Sequence, residues 1–322
     1  MVYSLDNSSF SNVIPTGINA GGYTVYYKAS ESDDCLETQV YSVLGNIAKA
    51  SGNVSVAPTA KSLTYSGSAQ VLANAGSGTG TMMYRLGSSG SFSSTIPSQT
   101  SAGSWTLYYY AAESTNYSQS STGNISVSIS KANISPSVSM SGWTYGSTAT
   151  NPSVSGNSGN GIVTYSYKVS TAADSTYTTT KPSNAGTYTV RAQIGETANY
   201  NSGTATNTFT IAKASPTYTV PTAKSLTYNG SNQNLLNAGS TSHGTIYYSS
   251  NNSSWSTTIP TGNSAGSYTS YWKLTGDSNH TDVASKSIST TIGKANQSAP
   301  TATGASIAFH NTATATASGG GG

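Results

Sequence analysis

The sequence predicts an all-β protein made of tandem β-sandwich repeats of about 82 residues. Two short markers recur at a nearly constant step along the chain of 322 residues. Between the markers, short runs alternate apolar and polar side chains, as strands with one buried face do. Clusters of Gly, Asn and Ser separate these runs at the intervals typical of sandwiches.

The first marker is the dipeptide Lys-Ala, and the second is Ala-Gly followed by any residue and an aromatic residue. Lys-Ala begins at Lys49, Lys131, Lys213 and Lys294, in steps of 82, 82 and 81 residues. The second marker lies at 20–23, 102–105, 185–188 and 265–268. Ile-Pro also recurs, at Ile14, Ile96 and Ile259, and Lys181-Pro182 takes its place once. A fixed internal step of this kind is the signature of a repeat architecture.

The markers divide the chain into five units, which are 1–50, 51–132, 133–214, 215–295 and 296–322. The unit 1–50 corresponds to the C-terminal part of a repeat, and 296–322 to the start of a further one. We therefore interpret the sequence as an excerpt from a longer protein.

Strand periodicity is clearest after the Ala-Gly marker. In the third unit it predicts that Tyr188, Val190 and Ala192 face one side of a strand, with Thr189 and Arg191 on the other. No window has the apolar stripe and caps of a helix.

A repeat of this size, with six or seven short strands, matches an immunoglobulin-like domain. The Cys, Trp and Cys signature of antibody domains is absent from this sequence. The Lys-Ala marker ends one unit and a strand of the next begins within a few residues, with no flexible linker. We therefore expect an elongated, fairly stiff rod, in which each unit adds about 35–40 Å.

Composition excludes several classes of protein. Only 7% of residues are charged, and 13 basic and 10 acidic side chains are scattered singly, so no basic stripe predicts nucleic-acid binding. No apolar stretch is long enough for membrane insertion. Cys35 is the only cysteine, which excludes an intrachain disulfide.

The segments 213–230 (KASPTYTVPTAKSLTYNG) and 259–269 (IPTGNSAGSYT) resemble the MBG-type repeats of large bacterial surface adhesins. They are also similar to immunoglobulin-like repeats of tailed-phage fibres. The resemblance covers essentially the whole chain and is weakest at 133–214, where Trp143-Thr144-Tyr145 replaces Leu-Thr-Tyr. It implies an extracellular, repeated stalk and no particular binding residue.

Few residues suggest chemistry. His243, His280 and His310 are expected to lie in different units and at different places within them, which predicts surface or turn positions and no shared metal site. His280 follows an Asn, as Tyr117 and Tyr200 do, which favours a packing role. Cys35 lies in an acidic setting that disfavours a thiolate nucleophile. The acidic pairs Asp33-Asp34 and Asp277 with Asp282 could offer oxygens to Ca²⁺, but solvated turns are favoured.

Adjacent aromatic residues are the strongest hint of a binding surface, because one member of each pair in a strand must face outward. Outward rings can stack on sugar faces, while the competing interpretation is cross-strand packing. The candidate glycan contacts are Tyr26, Tyr27, Tyr108, Tyr109, Tyr247, Tyr248, Tyr271 and Trp272.

The leading functional prediction is a non-enzymatic structural stalk, without cofactor, on a virion surface or a bacterial cell surface. Its expected partners are other subunits or domains of a larger fibre. The alternative is a repeat module that binds host-surface glycans or mucins through the outward tyrosines. An enzyme would require a catalytic domain elsewhere, because no nucleophile is paired with a base.

Overall fold

A computed structural model describes residues 1–304, 306, 308–309 and 312–318, and its regular structure is almost entirely β-strand. The one helix within these residues is a short 3₁₀ turn, Asp174–Thr176. No helix in this part of the chain is long and apolar enough to cross a membrane.

The chain forms two compact units. The first comprises Met1–Ser137, Ser155–Thr164 and Gln193–Thr204. The second comprises Val138–Val154, Tyr165–Ala192 and Ala205–Gly322.

The strands follow the predicted step. Those of 1–50 are β1 (Val2–Ser4), β2 (Gly21–Lys28) and β3 (Tyr41–Ile47). Those of 51–132 are β4 (Val54–Val56), β5 (Thr59–Ala60), β6 (Leu63–Thr64), β7 (Gln70–Val71), β8 (Ala73–Asn74), β9 (Ser77–Gly78), β10 (Met82–Leu86), β11 (Ser98–Gln99), β12 (Gly103–Ala111) and β13 (Gly123–Ser130). Those of 133–214 are β14 (Ser137–Ser139), β15 (Trp143–Thr144), β16 (Ser153–Ser155), β17 (Val163–Val169), β18 (Gly186–Ile194) and β19 (Gly203–Ala212).

The fourth repeat and the segment after it complete the chain. The strands of 215–295 are β20 (Tyr218–Thr219), β21 (Thr222–Ala223), β22 (Leu226–Thr227), β23 (Gln233–Asn234), β24 (Leu236–Asn237), β25 (Ser240–Thr241), β26 (Gly244–Ser249), β27 (Thr261–Gly262), β28 (Gly266–Gly276) and β29 (Val283–Gly293). Those of 296–322 are β30 (Thr301–Thr303) and β31 (Thr316–Ser318).

A four-stranded sheet with the same strand order occurs in each of the three middle repeats. In 51–132 the order is β10-β12-β13-β6, and in 215–295 it is β26-β28-β29-β22. In both, the long strands are antiparallel and the short edge strand runs parallel to the end of the last one. In the second compact unit, β15 takes this edge position against β19, so Trp143-Thr144 occupies the place of the Leu-Thr strand in the other repeats.

Shorter ladders cover one face of each sheet, and the core lies between the two layers. In the second repeat, Leu72 and Ala73 from the short strands meet Leu107 and Val127 from the long ones, all almost fully buried. The alternation predicted after the Ala-Gly marker is also observed, because Val190 and Ala192 are fully buried while Arg191 lies on the opposite face. The predicted fold class of tandem all-β sandwich repeats is therefore confirmed.

In three of the four Ala-Gly markers the backbone conformation requires a glycine. Gly21, Gly186 and Gly266 have φ values of 152°, 155° and 156°, a region that L side chains rarely adopt. This residue turns the chain into the long strand that follows it.

Candidate functional site

Four of the candidate glycan contacts lie on the inner face of their sheets. Tyr248 and Trp272 are 4% and 1% exposed and belong to the core of the fourth repeat. Their prediction as glycan contacts is wrong, because a buried ring cannot stack on a sugar. Tyr109 packs against the core of the second repeat, and Tyr27 stacks on Tyr41 with ring centroids 5.7 Å apart.

The other four candidates lie on the outer face. Cross-strand pairing places Tyr108 opposite Arg85, and Tyr247 opposite Lys273. Tyr26 and Tyr271 hold equivalent positions in the first and fourth repeats. All four are half-buried. They remain predicted contacts, on a face that also carries cations.

A cation over an aromatic ring recurs on this outer face. The rings belong to a loop that packs beside the sheet, and the cations come from the sheet strands. The pairs are Lys28 over Phe10 (4.8 Å), Arg85 over Phe92 (4.5 Å), Arg191 over Tyr177 (3.9 Å) and Lys273 over Trp255 (4.5 Å). Such pairs contribute about 0.5–1 kcal/mol each at exposed sites.

The sequence carries a signal for the positions of these rings. Each ring stands five residues before the proline of the Ile-Pro or Lys-Pro marker. The residue after each ring makes a two-hydrogen-bond bridge to a tyrosine of the sheet, in the pairs Tyr3–Ser11, Tyr84–Ser93, Tyr167–Thr178 and Tyr248–Ser256. The cation stands at no fixed position in the repeat, so the spacing of the charged residues alone does not predict which cation lies over which ring.

The second recurring site is the junction between successive repeats. We define the docking turns as residues 113–117, 196–200 and 277–280, each of which meets the preceding repeat. In the first of them, Ala50 N–H donates to the Asn116 carbonyl, and Ser118 N–H donates to the Ala50 carbonyl, both at 2.9 Å. Asn199 and Asn279 form the same bridge with Ala132 and Ala214. The alanine of the Lys-Ala marker is thus the backbone contact for the next repeat.

The asparagine side chain of each docking turn binds the other marker. The Oδ1 atoms of Asn116, Asn199 and Asn279 accept hydrogen bonds from the backbone N–H groups of Ala20, Ala102 and Ala185, at 2.8, 2.9 and 2.8 Å. Both sequence markers therefore mark docking points for the following repeat.

Charge and aromatic contacts add to these junctions. Lys49 pairs with Glu113, and Lys131 with Glu196 at 3.1 Å, although exposed ion pairs of this kind contribute little. Tyr65 meets Tyr200 edge to face with ring centroids 5.3 Å apart. Such aromatic pairs contribute about 0.5–1.5 kcal/mol beyond the area that they bury.

The last junction carries a histidine in place of the tyrosine. His280 is 8% exposed, meets Tyr145 edge to face at 5.4 Å, and stacks on His243 with centroids 4.1 Å apart. His280 stands at the end of the docking turn 277–280, as the predicted turn position requires, and its burial against Tyr145 agrees with the predicted packing role. The expectation of separate histidines fails, since His243 and His280 belong to one repeat. His310 lies outside the described residues.

The acidic candidates take part in turns. Asp277 Oδ1 lies 2.8 Å from His280 Nδ1 and accepts the Asn279 N–H at 2.7 Å, and together these bonds lower the pKa of the Asp277 carboxyl below its ordinary value. Asp282 accepts the Gly276 N–H. Cys35 is exposed. Within the described ranges, no three His, Cys, Asp or Glu side chains lie close enough to share a metal ion.

Comparisons with known proteins leave the family open. No protein-family model matches the sequence. No curated protein matches it either. Among solved structures, the chain is similar to protocadherin gammaB7 domains EC3-6 in a cis-dimer structure, at 12% identity and a TM-score of 0.26, covering 84% of this chain and 85% of that one.

Two further structures are of the same kind. For protocadherin gamma B2 extracellular cadherin domains 3-6 the identity is 13% and the TM-score 0.27, with coverage of 85% and 83%. For the human desmocollin-1 ectodomain they are 11% and 0.26, with coverage of 93% and 73%.

Proposed function

We propose that this chain is a non-enzymatic structural stalk or fibre segment that spaces or presents a host-attachment tip. The observation that carries the proposal is the junction, where each docking turn joins the preceding repeat by two backbone hydrogen bonds and one asparagine side chain. A net contribution of about 0.5–1.5 kcal/mol for each hydrogen bond stabilises one orientation of neighbouring repeats over a freely hinged one.

The proposed setting is extracellular, on a virion appendage or as part of a cell-surface adhesin. The resemblance of 213–230 and 259–269 to MBG-type repeats supports this setting, as does the low content of charged residues. The proposed partners are other subunits or domains of a larger fibre. The proposed repeat boundaries remain 1–50, 51–132, 133–214, 215–295 and 296–322.

A test of the stalk is whether neighbouring repeats tumble together in solution. ¹⁵N relaxation of the full chain should give one anisotropic rotational correlation time shared by the three middle repeats. The variant Asn116→Ala/Asn199→Ala/Asn279→Ala should shorten the correlation time of each repeat. Independent tumbling in the unaltered chain would reject the stalk.

Glycan binding on the outer face is a second candidate, and the favouring observation is in the fourth repeat. Tyr247 and Tyr271 lie there on the same face as Trp255, whose ring is held by Lys273. Glycan-array binding that is lost in Tyr247→Ala/Tyr271→Ala would support this candidate. An array without any bound glycan would reject this candidate and leave the stalk as the proposed function.

A further inference from the structure

A cleft in the third repeat is formed by the end of β17, the loop that follows it and the start of β18. Its volume is about 520 Å³, within the range of roughly 300–1,000 Å³ typical of small-molecule sites. Its walls include Tyr167, Thr176, Thr178, Thr180, Lys181 and Tyr188. All of these residues belong to the second compact unit.

The first repeat has a corresponding cleft with a different lining. A smaller cleft of about 370 Å³ lies at the same place in the first repeat, beside Tyr3, Ser11 and Pro15. These residues correspond to Tyr167, Thr178 and Pro182. The first repeat has Ile14 in the wall where the third has Lys181. The second and fourth repeats also have isoleucine at this position.

The charge at Lys181 is not neutralised by an acid. Its Nζ lies 2.7 Å from the Thr150 carbonyl oxygen and 2.7 Å from Asn151 Oδ1, both of which are neutral. No carboxylate of the described chain forms an ion pair with it. These two hydrogen bonds use two of the three donors of the ammonium group.

One other cation lies in the wall of the cleft. Lys168 pairs with Asp174 at 2.9 Å, and the hydrogen bond from Lys168 is the chief cause that lowers the pKa of the Asp174 carboxyl. The charge of Lys168 is therefore balanced by an acid, whereas that of Lys181 is not.

We propose that the cleft of the third repeat binds an anionic saccharide, with the acidic group of the sugar on Lys181. An ammonium group forms a charge-assisted hydrogen bond with a carboxylate or a sulfate alike. The threonine hydroxyls suit the hydroxyl groups of a sugar, and the Tyr188 ring offers an apolar surface. This site is separate from the outer-face tyrosines and makes the third repeat a specialised member of the array.

The test is an NMR titration of the full chain with 3′-sialyllactose, 3′-sulfolactose, lactose and inorganic sulfate. We expect one or both acidic sugars to shift the amide signals of Thr178 and Lys181, and lactose to bind at least tenfold more weakly. Binding of 3′-sialyllactose identifies a carboxylated ligand, and binding of 3′-sulfolactose identifies a sulfated one. Sulfate that binds as tightly as either sugar would overturn the saccharide assignment, and so would an absence of shifts with every probe.

The variants locate the site. Lys181→Ile restores the residue of the other repeats and should weaken binding of the acidic sugar at least tenfold, while Lys181→Arg should keep it within about threefold. Lys224→Ile removes a lysine elsewhere in the same compact unit and should leave binding unchanged. Thermal unfolding verifies that each variant is folded. Equal affinity of Lys181→Ile and the unaltered chain would overturn the proposal.

Discussion

The side chain of Asn199 binds the backbone N–H of Ala102, 97 residues earlier in the chain, at 2.9 Å. Asn116 and Asn279 make the same contact with Ala20 and Ala185. The hydrogen bond joins a docking turn to the Ala-Gly marker of the preceding repeat, and it provides a local probe of the junction.

We predict that Asn199→Ala increases hydrogen exchange of the Ala102 amide by about two- to tenfold. The reason is the loss of one hydrogen bond with a net contribution of about 0.5–1.5 kcal/mol. Asn124→Ala, at an exposed position of β13, is the matched control and should leave that amide unchanged. Equal exchange in both variants would mean that the side chain does not hold the junction.

The two adjacent aromatic residues of β28 should differ strongly in their effect on stability. Trp272 is 1% exposed and Tyr271 is half-buried on the other face. We expect Trp272→Ala to destabilise the fourth repeat by about 3–5 kcal/mol. Tyr271→Ala should lower stability by less than half as much. Urea unfolding followed through fourth-repeat amide signals measures both, and similar losses would contradict the inner and outer assignment.

Removal of an outer-face cation should have a small, measurable effect. The Arg85 guanidinium lies 4.5 Å from the ring centre of Phe92 and 5.4 Å from that of Tyr108. We expect Arg85→Ala to lower the free energy of unfolding of the second repeat by about 0.5–2 kcal/mol. Lys61→Ala, which removes a cation without a ring partner among the described contacts, should change it less. A larger loss for Lys61→Ala would remove the support for the recurring cation and ring pairs.

The contact between Asp277 and His280 predicts that the stability of the fourth repeat depends on pH in the acidic range. The pKa of Asp277 is lowered, first by the hydrogen bond with His280 and next by the Asn279 N–H. A carboxyl with a lowered folded-state pKa contributes stability above its unfolded value, near pH 4, that is lost as pH falls through the folded value. His280→Tyr installs the residue of the other docking turns and removes the largest cause.

In that variant the Asp277 carboxyl should therefore titrate at a higher pH, as measured by carboxyl ¹³C NMR. Asp174 is the internal control, because its lowered pKa depends chiefly on Lys168. An unchanged Asp277 midpoint would show that His280 does not set its titration.

Local sequence patterns were enough to predict the fold. The junctions and the histidine pair, in contrast, depend on contacts between residues that are far apart in the chain. The constant step of Lys-Ala and the alternation at Tyr188, Val190 and Ala192 were enough to predict sandwich repeats. The function of those markers was not predictable, because Asn116 and Ala20 meet only after two repeats have folded. His243 and His280 are 37 positions apart in the sequence. They meet because the pairing of β26 with β28 brings the start of β26 next to the end of β28.

The paired aromatic residues show the same limit. Alternation requires that Tyr271 and Trp272 face opposite sides, but it does not say which side faces the core. The register of Tyr248 with Trp272 places both rings inward. The rings Phe10, Phe92, Tyr177 and Trp255 were predictable in principle from their fixed distance to the proline.

Small-angle scattering of the full chain tests the central claim most directly, because the proposed stalk requires the repeats to remain extended. Three complete repeats of about 35–40 Å each predict a maximum dimension of at least about 105–120 Å. A compact single domain of this length would have a radius of gyration of only about 20 Å. A rod-like profile with a sharply defined maximum dimension is the predicted result. A compact profile, or a broad distribution of dimensions in the unaltered chain, would contradict the account.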